Sequence, residues 1–158
     1  MRRLFALLSL MLFLSTAATT AAVAAPDGLV GKTTAHSYAE MIERLDQAVK
    51  DHKMGLVTRA SATVGVKRVL EEDIPGNMVV GVYHPRFAKR MLEASVPAGI
   101  EAPIRFYITE EADGRATLTY REPSAVFAPW ADGNAALQTL AAELDEVFAG
   151  IFAQATAE

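Results

Sequence analysis

Two short runs late in the chain constrain its fold more than any other feature. Residues 104–109 and 116–121 alternate apolar and polar side chains, and the stretch between them contains Asp113-Gly114. Asp-Gly between alternating runs predicts a β-hairpin. Side chains alternate across a strand, so Ile104, Phe106 and Ile108 share one face, which Leu118 and Tyr120 join. The other face carries Arg105, Tyr107, Thr117, Thr119 and Arg121. Such a sheet must be covered on its apolar side and leaves the other side to water, a ligand or a second subunit.

The cover is legible too. Ser37 with Glu40 three residues on has the spacing of a reciprocal capping box. Behind it, Tyr38, Met41, Ile42, Leu45, Ala48 and Val49 recur at helical spacing. This helix is predicted to end near Lys53, with Gly55 as its left-handed cap. Asn134 opens a final helix striped by Leu137, Leu140, Ala141, Leu144, Val147, Phe148 and Ile151. His84 before Pro85 reads as the cap of a third helix over 86–94. Further strands are predicted at 29–34, 56–59 and 78–83. The last is apolar on both faces, which places it inside the sheet or against a partner. Residues 61–70 are open between loop and short helix. Pro97, Gly99 and Pro103 punctuate a loop, and Pro123, Pro129 and Gly133 break the stretch before Asn134. The expected fold class is α+β: an antiparallel sheet with helices packed on one face, in a single domain over 25–158.

Residues 1–24 have the layout of a secretory signal peptide. Arg2 and Arg3 precede an apolar run over 4–14, and a small-residue stretch closes on Ala22-Val23-Ala24. Cleavage is expected after Ala24. The run is shorter than the roughly 20 apolar residues a spanning helix needs, so no integral membrane segment is expected after cleavage. No cysteine follows the cut, which excludes a lipoprotein anchor. The Leu-rich core favours the general secretory route over the twin-arginine route that Arg2-Arg3-Leu4-Phe5 faintly resembles. The expected location is periplasmic or secreted.

Removing those 24 residues leaves 134 of 158, enough for one domain with its own core. The leader holds two of the fifteen basic residues and none of the nineteen acidic ones, so the remainder carries a net charge of −6. That balance argues against nucleic acid, whose phosphates need clustered Lys and Arg. The chain has no cysteine. Its stability must come from packing, and thiol nucleophiles, thiolate metal sites and covalent haem attachment are excluded.

The ordered local words resemble the bacterial domain-of-unknown-function family 302. The matching words lie within residues 65–123. They are a strand running into a residue-Pro helix start (79–85), Ala102-Pro103 before a strand, an acidic hairpin at 110–114, and the Tyr-x-x-Pro exit of Tyr120 and Pro123. The capped helix from Ser37 fits the family's opening strand–helix unit. The resemblance implies a TATA-binding-protein-like fold, a curved antiparallel sheet with helices on one side, and a homodimer. It supplies no catalytic residues. This chain departs from the commoner pattern: His84-Pro85 stands for Asn-Pro, Ala60-Ser61 for an Asp-His pair, and there is no cysteine near Pro103.

His84 is the residue of most chemical interest. It precedes a helix N-terminus, where free N–H groups attract anions. Arg86 beside it, with Arg105, Tyr107 and Arg121 on the open sheet face, would complete a pocket for a small anion or an amphiphile; as simple readings, His84 caps its helix and the arginines are solvated. His36, His52 and His84 are widely spaced, with no His-x-His or His-x-x-x-His pair, so no metal or other cofactor is expected. The methionines are scattered as core filler. No Gly-x-Ser-x-Gly elbow is present, and Ser37 beside His36 is accounted for as a cap, which leaves a hydrolase built on His84 as a minor alternative. Arg86, Lys89 and Arg90 give the third helix a basic face that reads as solvated surface. The sequence thus reads as a non-catalytic small-ligand-binding or accessory module of the cell envelope. Its alternative is a structural homodimer whose open sheet face is the interface.

Overall fold

The computed structural model describes residues 25–158; the expected signal peptide lies outside them. In chain order the elements are β1 (Leu29–Ser37), α1 (Tyr38–Asp51), β2 (Gly55–Ala60), α2 (Ala62–Leu70), β3 (Asn77–Tyr83), α3 (Pro85–Ala94), a 3-10 turn (Pro97–Glu101), β4 (Ile104–Glu110), β5 (Arg115–Arg121), α4 (Pro123–Ala131) and α5 (Ala135–Ala155). The strands form one antiparallel sheet in the order β1-β5-β4-β3-β2. The predicted α+β architecture is the observed one.

The alternating hairpin decides which side is covered. Phe106 stands opposite Tyr120 and Ile108 opposite Leu118. These four residues, with Ile104 and Ala116, are buried. The Phe106 ring stacks on Phe148 of α5, with centroids 5.1 Å apart and planes 6° apart. Tyr120 is tilted against Phe106 at 5.3 Å. Met41, Leu45, Ala48 and Val49 of α1, and Leu137, Leu140, Leu144 and Ile151 of α5, join the same core. β3 lies between β4 and β2, as its two apolar faces require.

The helix starts follow their caps. Ser37 accepts from the Glu40 N–H while the Glu40 carboxylate accepts from the Ser37 N–H. Asn134 accepts from the Leu137 N–H at 3.1 Å. Residues 61–70 resolve as α2, opened by Ser61 accepting from the Val64 N–H.

Two predicted breaks differ. α1 ends at Asp51 with His52 as its C-cap, and Lys53, not Gly55, takes the left-handed conformation, with φ of 58°. Gly55 instead starts β2, where a Cβ would sit 3.2 Å from the Tyr83 carbonyl oxygen. The stretch expected to be broken by prolines is the helix α4. Pro123 occupies its first turn, where no backbone N–H is needed, and Pro129 lies two residues before its end, forgoing little of the ladder.

The end of α5 is held by side chains from β1 and α1. The last carbonyls of a helix lack partners and carry its negative dipole end. Arg44 donates from Nε to Ala155 O at 2.8 Å and from a terminal nitrogen to Ala157 O at 2.7 Å. Lys32 Nζ donates to Thr156 O at 2.9 Å, and His36 Nε2 donates to Ala157 O at 2.7 Å. Three basic residues scattered in sequence thus converge on one helix end.

Two substitutions test this account by urea denaturation. Phe106→Ala removes the stacked ring from a closed core and should cost about 3–5 kcal/mol. Arg44→Ala leaves helix carbonyls unpaired and should cost about 1.5 kcal/mol, whereas Lys67→Ala, which breaks the exposed pair with Asp73, should change stability by less than about 0.5 kcal/mol.

Candidate functional site

The strand register sorts the five candidate residues into separate places. Paired residues of neighbouring strands share a sheet face. Arg105 is paired with Gly81, and Tyr107 with Val79. His84 instead follows buried Val80 and Val82 on β3, two residues apart, and so continues the helix-covered side. The cavity that His84 lines does not include Arg105, Tyr107 or Arg121.

His84 caps α3 as expected. The Arg86 N–H donates to His84 Nδ1 at 3.1 Å. A ring nitrogen that accepts carries no proton, so the neutral imidazole holds its proton on Nε2 and presents a donor there. The ring meets Phe87 edge-on, with centroids 6.0 Å apart. It lines a cavity of about 30 Å³ whose walls include Met54, Phe87, Met91, Phe127 and Phe148. Arg86 is exposed and lies over the Phe87 ring, 5.5 Å from its centroid.

Where β4 begins and β5 ends, Arg105 and Arg121 line a recess of about 70 Å³ with Glu101 of the 3-10 turn, Ile104 and Val126 of α4. Arg121 Nε donates to Asp27 O at 2.9 Å. The Trp130 indole N–H donates to the Glu101 carboxylate at 3.1 Å. Tyr107 stands apart, 42% exposed, over a shallow depression shared with Val79 and Asn77. Sequence reasoning missed Glu101 and Trp130. The one signal was that a tryptophan's indole N–H needs a partner when it is buried.

The remaining candidates are committed locally. Ser37 serves the capping box, and His36 belongs to the α5 clamp. Lys89 pairs with Glu93 on its own helix. Arg90 makes a bidentate pair with Glu143 of α5, at 2.6 and 2.7 Å. The basic face of α3 is therefore partly neutralised from within. Among the described residues no three His, Cys, Asp or Glu groups cluster as metal ligands, and no helix is long and apolar enough to cross a membrane.

The comparisons with known proteins bear on the family and the fold. The chain belongs to the family described as domain of unknown function DUF302, whose sequence profile matches residues 30–155. A solved structure of a DUF302 protein from Bacillus stearothermophilus superposes with a TM-score of 0.72 at 19% identity, covering 82% of this chain and 98% of that one. That likeness shows the fold. Two curated relatives, from Brucella suis and Brucella abortus, are each named fluoride-specific ion channel FluC 1 and are 28% identical over 97 residues. The match covers 61% of this chain but 38% and 36% of those proteins, so the chain spans well under half their length.

Two outcomes follow. His84→Ala should destabilise the protein by about 1 kcal/mol, and His84→Asn, which keeps a capping acceptor, should recover most of that in chemical denaturation. The hydrogen bonds from Arg90 hold the Glu143 carboxyl below the ordinary glutamate value of 4.5. A carboxyl lowered on folding stabilises above its unfolded pKa, and the contribution is lost as pH falls through the folded one. The Tm difference between the wild type and Glu143→Gln should therefore be present at neutral pH and close below pH 4.5.

Proposed function

We propose that this protein is a non-catalytic small-ligand-binding module of the cell envelope, exported by its leader. Its ligand inserts an aliphatic end into the cavity beside His84. The observation that carries this reading is the cavity's chemistry: apolar walls of Met54, Met91, Phe87 and Phe127 with the His84 ring beside them. Ligand sites combine apolar walls with a few placed polar groups in this way. The cap on Nδ1 leaves Nε2–H as the donor, which suits a carbonyl or ether oxygen on the ligand. A void of about 30 Å³ takes the end of a chain rather than a whole molecule, and the flexible thioethers of Met54 and Met91 adapt to it. The Brucella proteins support the accessory role, since a segment similar to this one there lies within proteins named as fluoride-specific ion channels.

The test is titration with 2-hexanone, followed by the methyl NMR signals of Met54 and Met91. Both should shift saturably, and Ala88→Leu, which fills the cavity wall, should abolish the shifts. Shifts that fail to appear, or that persist unchanged in the filled variant, reject the reading.

A second reading, a structural homodimer, rests on a different observation. Thr33, Thr117, Thr119, Tyr107 and Val79 share the open face; the Thr33 and Thr117 hydroxyls bond to each other at 2.7 Å, and Thr117 also donates to the Glu111 carboxylate at its rim. Light scattering should then give a dimer mass, and Tyr107→Lys should reduce it to the monomer's. A wild-type monomer at micromolar concentration rejects this reading.

A further inference from the structure

We propose that the recess between Arg105 and Arg121 is a binding site for a small carboxylate, separate from the His84 cavity. Arg105 and Arg121 each stand one residue outside the Phe106–Tyr120 pair, on the adjacent strands β4 and β5. Like charges facing across a strand pair repel and destabilise the sheet. The protein does not neutralise this pair from within. Every ion pair among the described residues engages another base: Arg59, Lys67, Lys89, Arg90 or Arg115. Arg121 is tied through Nε to a backbone carbonyl, which orients its guanidinium but leaves the charge uncompensated. The Arg105 side chain has no hydrogen-bond or ion-pair partner among the described residues.

Glu101, the one carboxylate lining the recess, accepts instead from the Trp130 indole and makes no ion pair with either arginine. An anion placed between the two guanidinium groups removes their repulsion and accepts from both, and planar carboxylates match the guanidinium fork. The apolar walls, Ile104 and Val126, favour an organic anion over a fully hydrated inorganic one. A volume of about 70 Å³ holds a carboxylate with a short apolar tail.

The recess contains its own reporter. Trp130 is the only tryptophan in the sequence, and its indole is bonded to a residue that lines the recess. Acetate titrated against the full mature protein, at constant ionic strength set with sodium chloride, should change Trp130 fluorescence saturably. Arg105→Gln and Arg121→Gln should each weaken the apparent affinity roughly tenfold or more, the worth of a charge-assisted hydrogen bond. Glu101→Gln keeps an acceptor for the indole and removes a repelling charge, so it should tighten binding by about threefold. Arg105 has no partner to lose, so its variant keeps the fold, which far-UV circular dichroism checks. Absence of saturation, or an unchanged affinity in Arg105→Gln, overturns the site. Saturation with inorganic phosphate but not with acetate overturns the carboxylate assignment. Ala88→Leu, which blocks the His84 cavity, should leave the acetate response intact, so this site and that one fail independently.

Discussion

The stack of Phe106 on Phe148 is the contact on which the rest of this structure depends. Phe106 lies on β4, with β5 on one side and β3 on the other, and Phe148 lies in the longest helix. Their near-parallel rings, backed by Tyr120, fix α5 against the middle of the sheet. With α5 in place, its far end lies within reach of Lys32, His36 and Arg44, and α3 is drawn to it through Arg90 and Glu143. A chain without disulfides has only such packing and polar anchoring to order its layers.

The same sheet that organises the core divides the chemistry. On the covered side, His84 lines an apolar cavity and gives up one ring nitrogen to the α3 cap. At one end of the sheet, Arg105 and Arg121 stand on adjacent strands, and neither makes an ion pair among the described residues. Five residues that suit a single pocket in one dimension stand in separate places in three. Membership in DUF302 fixes the fold and family and leaves the chemistry to these two surfaces.

Much of the fold was legible because it rests on local rules. The capping box at Ser37, the Pro85 helix start, the Asp-Gly hairpin and the Asn134 cap each act within four residues, and each holds. The failures came where a proline or glycine has two uses. Pro123 opens a helix rather than breaking one, and Gly55 permits a close strand approach while Lys53 turns the chain. The candidate site was half legible. His84 as cap followed from Pro85, but its face depended on counting from Val82, and Arg105's face on its pairing with Gly81.

The sequence by itself determined the class of fold, the apolar face of the hairpin, the helix starts and the absence of thiol chemistry, because these follow from periodicity, capping and composition. Tertiary structure alone decided which polar groups meet. Arg44, Lys32 and His36 reach one helix end across more than a hundred residues, and Glu101 meets Trp130 beside Arg105 and Arg121 only after the 3-10 turn and α4 have packed. Long-range side-chain meetings carry no periodic signal. They are set by the strand order and by the layer that the aromatic stack holds in place.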